Sequence, residues 1–515
     1  MASNLRSTSW KALLVSSLFL PPLGLALLWL RSGLGAGKKL VGSLVVTALG
    51  VFYLVWLFGL RAEMDGSGIL PILSFHKPES HYAELERSRS QQPAAAPEPA
   101  PPATAAAAAE PASPLSRTPA ERPVLTVTPY WTDFRGPHRD GRYEEAPILT
   151  QWPSKGLIRL WRQPIGGGYA SFVVAEGRAF TIEQRRRQEV VAAYDVETGR
   201  ELWAHGWDGD FQEPMGGDGP RATPTWHQGR LYALGAMGEF RCFDAANGKR
   251  LWSHNILEDN QAQNLTWGMS ASPLIVDQKV IVLPGGSAGK SVVAYHKVTG
   301  EPVWKAQDDK QAYTSPMLVT LAGRRQLLVV SALRAMGLAV EDGALLWDFP
   351  WVTEYDVNSA QPIVLGENRF LISAGYGHGA ALVEVRRTGA GSGFAARPVW
   401  SNTRMKNKFS SSVLHDGHIY GMDEAILACL EVETGNLKWK GGRYGYGQLL
   451  LAGGHLVVLT ESGEVALVKA TPERHQEVAS FSAIEGKTWN PPAIAGGRLL
   501  VRNTTEMACF RIGAR

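Results

Sequence analysis

Two cations (Arg221, Lys408), two indoles (Trp267, Trp489) and two amides (Asn358, Asn490) hold one kind of position in this 515-residue chain. Each stands at, or a few residues ahead of, an alternating apolar run interrupted by a turn, as in ATPTWHQGRLYAL from Ala222 or SSSVLHDGHIYGM from Ser410. Tyr169, Ser171, Thr223, Ser270, Tyr313, Ser315 and Tyr446 occupy equivalent places. Gathered together, such groups suit a flat, polar, anionic ligand: Arg221 and Lys408 would bind carboxylates, while Trp267 or Trp489 would stack. The plainer reading is that they fill and solvate one end of a scaffold. No nucleophilic triad can be assembled from spacing, and no Walker loop or Gly-x-Ser-x-Gly is present, so no catalytic residue is assigned. The acidic loop Asp208, Asp210, Glu213 and Asp218 and the pair His415 and His418 read as a solvated loop and a hairpin turn. No metal site is expected from them.

The elements that must position these residues repeat. AYDVETGRELW ends at Trp203, CFDAANGKRLW at Trp252, AYHKVTGEPVW at Trp304, GLAVEDGALLW at Trp347 and CLEVETGNLKW at Trp439, with a stretched version ending at Trp400. The tryptophans recur at roughly 40 to 50 residues, the length of a four-stranded propeller blade. Alternating starts occur at Ala170, Ala222, Ala271, Thr314, Ser359, Ser410, Gly447 and Trp489, and the eighth unit ends after its third strand, MACFRI. Its missing outer strand is supplied by LIRLWRQPI, ahead of the first unit, which closes the ring without an open edge. The expected fold is all-β, an eight-bladed β-propeller over 156–515 behind a docking segment at 124–155. Asp195 is placed to accept turn N–H groups, Gly199 to take a positive φ, and the tryptophan to pack between blades. Cys242, Cys429 and Cys509 read as small packing residues in separate blades.

Ahead of the repeat, residues 12–30 and 40–60 are apolar stretches that read as two transmembrane helices within a 1–61 anchor. The first could instead be a signal peptide, or bend at Pro21-Pro22 into a re-entrant hairpin. Residues 62–123, dense in Pro and Ala from Gln91 on, read as a disordered tether that holds the propeller away from the membrane. Arg31, Lys38 and Lys39 place the loop between the spans in the cytoplasm and the propeller on the periplasmic or outer side of the cytoplasmic membrane. A net charge of +4, with scattered basic residues, gives no support for nucleic-acid binding.

The pattern Ala-x-Asp-x-x-Thr-Gly-x-x-x-Trp, intact at Ala193–Trp203, resembles the tryptophan-docking motif of pyrroloquinoline-quinone (PQQ) dehydrogenases and the repeat of an outer-membrane assembly lipoprotein. WTDFRGPHRDG (Trp131–Gly141), MKNKFSSSV, GGRYGYGQLLLAGG and GKTWNPPAIAGGRLLVRN resemble bacterial PQQ-like propeller-repeat proteins of the quinoprotein alcohol dehydrogenase-like superfamily. The resemblance implies one of two functions. The first is a membrane-anchored, noncatalytic module that binds a small polar ligand or an envelope protein. The alternative is a PQQ- and calcium-dependent dehydrogenase of alcohols or sugars that passes electrons to a membrane quinone. The adjacent cysteine pair found in many such enzymes is absent, as is Cys-x-x-Cys-His.

Overall fold

A computed structural model describes residues 10–31, 33–56, 59–67, 69, 71–75, 78–92, 131–389 and 393–514. They form two compact units, 1–83 and 84–515.

In the first unit the stretch from Ala12 to Leu30 is not a single span. Pro21 and Pro22 lack the N–H that would continue a helix, so α1 (Trp10–Phe19) stops and α2 (Pro21–Leu30) starts with proline in its first turn. The two arms fold back on each other: Gly24 lies against the Ser17 backbone with no room for a Cβ, and Leu13 clusters with Leu27 and Leu28. Each ten-residue arm rises about 15 Å, half of a hydrocarbon core of about 30 Å. The expectation of two spans is corrected to a helical hairpin and one candidate span. That span is α3 (Ala36–Trp56), 21 residues of mean hydropathy 1.8 and the one such helix among the described residues. After it, β1 (Leu60–Met64) and β2 (Pro71–Phe75) pair antiparallel, and α4 (Pro78–Ser90) follows. The first part of the expected tether therefore holds regular structure. Its Pro/Ala core, residues 93–130, lies outside the described residues.

The second unit is the eight-bladed propeller. Seven four-stranded antiparallel sheets and one five-stranded sheet succeed one another along the chain. Blade 1 spans Val173–Asp208, and each later blade begins at one of the predicted starts. Blade 8 is composite: its outer strand is β4 (Ile158–Pro164), paired with Glu506–Arg511 as expected.

The repeated motif explains how blades stack. Asp195 Oδ1 accepts the Glu197 and Thr198 N–H groups and the Thr198 hydroxyl. Gly199, at φ 69°, lies under the indole of Trp161 from the preceding blade, where a Cβ would come within 2.6 Å of the ring. Gly248 under Trp203, Gly300 under Trp252, Gly343 under Trp304 and Gly435 under Trp400 repeat this contact. Five of these indoles then donate to a backbone carbonyl of the next blade, as Trp203 Nε1 does to Ala245 O at 3.1 Å. The glycine therefore serves two ends, turn and neighbour. Buried side chains between successive sheets make up most of the core, as where Leu274 and Val276 of blade 3 meet Leu327 and Val329 of blade 4. The three cysteines are buried and unpaired.

Two segments outside the repeat are bound to the propeller. The lead segment enters the end of the channel where the inner strands finish. Trp131 bridges Val174, and β3 (Arg142–Tyr143) adds parallel to the inner strand of blade 7 at Leu451 and Ala452. Between them two buried arginines reach into the channel. Arg135 donates to Ser411 O, Ser412 O and Leu449 O; Arg139 donates to Ser272 O, Pro273 O and Pro316 O and pairs with Asp133. The segment is a stopper held by guanidinium–carbonyl bonds.

The C-terminal turns of α4 lie across the ring's seam. Arg89 pairs with Glu201 at 3.2 Å, donates to Pro164 O at 2.7 Å and covers the Tyr194 ring at 5.1 Å. Gln92 Oε1 accepts the Glu201 N–H. Both ends of the Pro/Ala segment are thus fixed on the propeller, at Gln92 and at Trp131. Arg185 sits in the same network between Glu183 and Glu201.

Candidate functional site at the channel mouth

The loops that enter the inner strands meet at the channel end opposite the stopper. Below their tips the strand starts are tied blade to blade. Ser171 N–H donates to Thr223 Oγ1, Thr225 Oγ1 to Pro273 O, and Ser272 N–H to Ser315 Oγ. Gln361 donates from its amide to Ser315 O and from its backbone to Ser411 Oγ. Gln448 Nε2 donates to both Phe409 O and Trp489 O, and Asn490 Nδ2 to Gly168 O and Ala170 O. These bonds join all eight neighbouring pairs, including the seam, into a closed belt. Buried polar groups need partners, and here the partners are the next blade.

The six candidates divide accordingly. Asn490 belongs to the belt. Asn358 is buried too, and its amide donates to Ser331 O and Trp351 O, fixing the loop into blade 5. Neither presents its amide N–H to a ligand. Trp489, Lys408 and Arg221 are brought into one arc above the belt. The Trp489 ring lies 4.7 Å from Phe409 and 5.5 Å from Tyr169, and its Nε1 donates to Glu461 Oε1 at 2.8 Å. Lys408 Nζ stands 4.5 Å from the Tyr376 ring centre and 5.1 Å from that of Tyr446, which meets Phe409 at 5.5 Å. Arg221 lies between the rings of Tyr169 and Phe211, at 5.5 and 4.5 Å, and donates to Gly217 O and Gly219 O of its own loop. Burial pulls its pKa down. Trp267 is apart from the arc, 5.8 Å from Tyr313 in the sector of blades 3 and 4.

Sequence reasoning missed Phe409, Tyr376, Glu461 and Lys487, whose ammonium is 4.4 Å from the Trp489 ring centre. Phe409 directly precedes a strand start and was open to the same alignment. Tyr376 and Glu461 lie on or beside turns between second and third strands, which also reach the mouth. Tyr355, exposed at the rim 5.7 Å from Tyr376, has φ 63°, and Tyr376 has φ 54°. Left-handed backbone at non-glycine residues costs about 1–3 kcal/mol and clusters at functional sites.

Calcium requires several converging oxygen ligands. Among the described residues no group of three or more His, Cys, Asp and Glu side chains converges. Nearby carboxylates are engaged otherwise: Glu461 accepts the Trp489 and Tyr446 N–H groups, and Glu213 accepts the Gly216 N–H. With Arg221 committed to its own loop, the residues present do not fit a calcium–PQQ pair. They form a half-exposed aromatic platform with cations set against its rings.

Residues 186–441 match the family model described as outer membrane protein assembly factor BamB. The chain is 22% identical over 373 residues to the outer membrane protein assembly factor BamB of Burkholderia pseudomallei, a match that covers 67% of this chain and 88% of that one. It is 25% identical over 190 residues to the quinoprotein alcohol dehydrogenase PedH of Pseudomonas putida, spanning 35% of this chain and 30% of the relative. The solved structure of BamB from Moraxella catarrhalis covers 70% of this chain with 98% of its own length at a TM-score of 0.50 and 14% identity, a likeness of fold. Repeat, closure and matches together make this chain a PQQ-like β-propeller repeat protein, similar both to BamB and to quinoprotein alcohol dehydrogenases.

Proposed function

We propose that the chain is a noncatalytic binding module of the cell envelope, which uses the aromatic platform at its channel mouth to hold a protein partner during assembly. One observation carries this reading: the mouth's amides and Arg221 are committed to the fold, while rings of Tyr169, Phe409 and Trp489 remain half-exposed. Aromatic side chains in a partly desolvated cluster are the composition of protein-interface hot spots. The match to a protein named as an assembly factor, over most of that protein's length, supports the same class.

The hairpin of α1 and α2 bears on location. With α3 as the single span, Arg6, Lys11 and Arg31 precede it, Lys38 and Lys39 stand in its first turn, and Arg61 alone follows closely. Positive-inside asymmetry then puts the residues after α3 on the outer side of the cytoplasmic membrane. It does so by a wider margin than two spans allowed.

The full chain in detergent, titrated with PQQ with and without calcium, is expected to give no saturable heat. A photo-crosslinking side chain at Tyr355 is expected to trap a protein adduct in the cell envelope, where one at Glu477 on an outer strand does not. Calcium-dependent binding near one PQQ per chain, abolished in Arg221→Ala or Trp489→Ala, would overturn this reading in favour of the dehydrogenase.

A further inference from the structure

The stopper closes only part of its end of the channel. Beside it lies a cavity of about 700 Å³, walled by the stopper on one side and by the inner strands of blades 3 to 6 on the other. Six of the eight inner strands have three residues; those of blade 4 (Met317–Leu321) and blade 7 (Gln448–Ala452) have five. The blade 7 strand is the one on which β3 adds. The blade 4 strand is terminal in its sheet and lines the cavity. Along it Met317, Val319 and Leu321 are buried, while Leu318, 37% exposed, and Thr320 face out. A strand edge with an exposed apolar residue is what most proteins blunt or cover, and here the other long inner strand, three blades away, shows how covering is done.

The rim is charged unevenly. Asp133 is spent on Arg139, at 2.6 Å. Arg142 pairs with Glu144 at 2.6 Å and donates to Leu414 O at 3.0 Å, and Asp140 accepts the Arg142 backbone N–H and lies within electrostatic reach of the buried Arg135. The cavity lining itself still carries one carboxylate more than it has guanidinium groups: Asp133, Asp140 and Glu144 against Arg139 and Arg142.

We propose that this cavity is a second docking site, which takes an extended segment of a partner protein along the free edge of the blade 4 inner strand, as β3 lies along that of blade 7. The segment carries apolar side chains at alternate positions, against Leu318, and a Lys or Arg toward Asp140 and Glu144. Main-chain bonds supply affinity in this mode, and alternate side chains supply selectivity. The proposal rests on the reading of the chain as a protein-binding module, but at the end of the channel opposite the mouth.

The test is selection of a phage-displayed library of short linear peptides on the detergent-solubilised full chain, with an unrelated membrane protein as control. Enriched peptides are expected to alternate apolar residues and end in a basic flank. With one bound, the amides of Met317–Leu321 should exchange more slowly with deuterium. Binding should fall roughly tenfold or more in Leu318→Asp and stay unchanged in Trp489→Ala. Glu144→Lys should shift the selected flank from basic to acidic; because both changes are at exposed side chains, near-UV circular dichroism should match the parent. No enrichment over the control, or binding indifferent to Leu318→Asp, overturns the site. Peptides lost in Trp489→Ala and kept in Leu318→Asp would also overturn it, while leaving the mouth as the docking surface.

Discussion

Glu189 illustrates what one residue adds to the blade 1–blade 2 contact. It is fully buried beneath the loop that carries Arg221, with Oε1 accepting the Ala236 N–H at 2.7 Å and Oε2 the Trp207 Nε1–H at 3.0 Å. Burial lifts its pKa to about 7 in spite of both donors. The folded state thus holds this proton more tightly than the unfolded chain, whose carboxyl titrates near 4.5. Its contribution to stability is complete below that lower value and is lost as pH rises through about 7, for a total of about 3 kcal/mol. Urea midpoints should therefore decline from pH 5 to pH 8, and the decline should be shallower in Glu189→Gln; an identical slope would assign the titration to another group. None of this is visible in EVVAAYDVETG, where Glu189 reads as an ordinary polar start to a strand. The same holds for Asn358 and Asn490. The repeat gives their offset from a strand start, whereas which neighbour they bond depends on loop paths of unequal length.

Among the elements, the seam helix is the one whose role differs most from expectation. Proline and alanine spacing described a tether beginning soon after the membrane segment. The turns of α4 that precede it instead grip blades 1 and 8, because Arg89 finds a carboxylate, a carbonyl and a ring within one reach. A charged helix of PESHYAELERSRS has no apolar stripe to announce such docking. Arg89→Ala removes a largely buried cation whose partner Glu201 retains Arg185, so a loss of about 2 kcal/mol is expected, read as a lower urea midpoint with unchanged slope. Elements carried by the repeat were legible throughout: the eight starts, the closing strand and the Asp–Gly–Trp turns all obey a periodicity that sterics enforce at every blade. In WTDFRGPHRDG the stopper was not legible, since nothing periodic says where Arg135 and Arg139 point.

At the scale of the molecule, the ring is held by contacts between successive blades and by one seam that joins its beginning to its end. Trp161 belongs to that seam, with its indole on Gly199 and its Nε1 donating to Val196 O. Trp161→Ala should cost about 3–5 kcal/mol and should speed amide exchange in Glu506–Arg511 and in blade 1 more than in blades 3 to 5; uniform acceleration would mean that the seam is no weaker than other blade junctions. The seam also imposes an order in time. Arg162 and Glu506, which pair across it, are 344 residues apart. At the usual 5–20 residues per second of synthesis, β4 waits roughly 17 to 70 seconds for its partner strand. Throughout that interval its edge and the Trp161 indole are without the C-terminal strand that will cover them. Premature termination anywhere before the last strand would make that wait permanent, and the resulting fragment would carry an adhesive edge near its N-terminal end however many intact blades it contained.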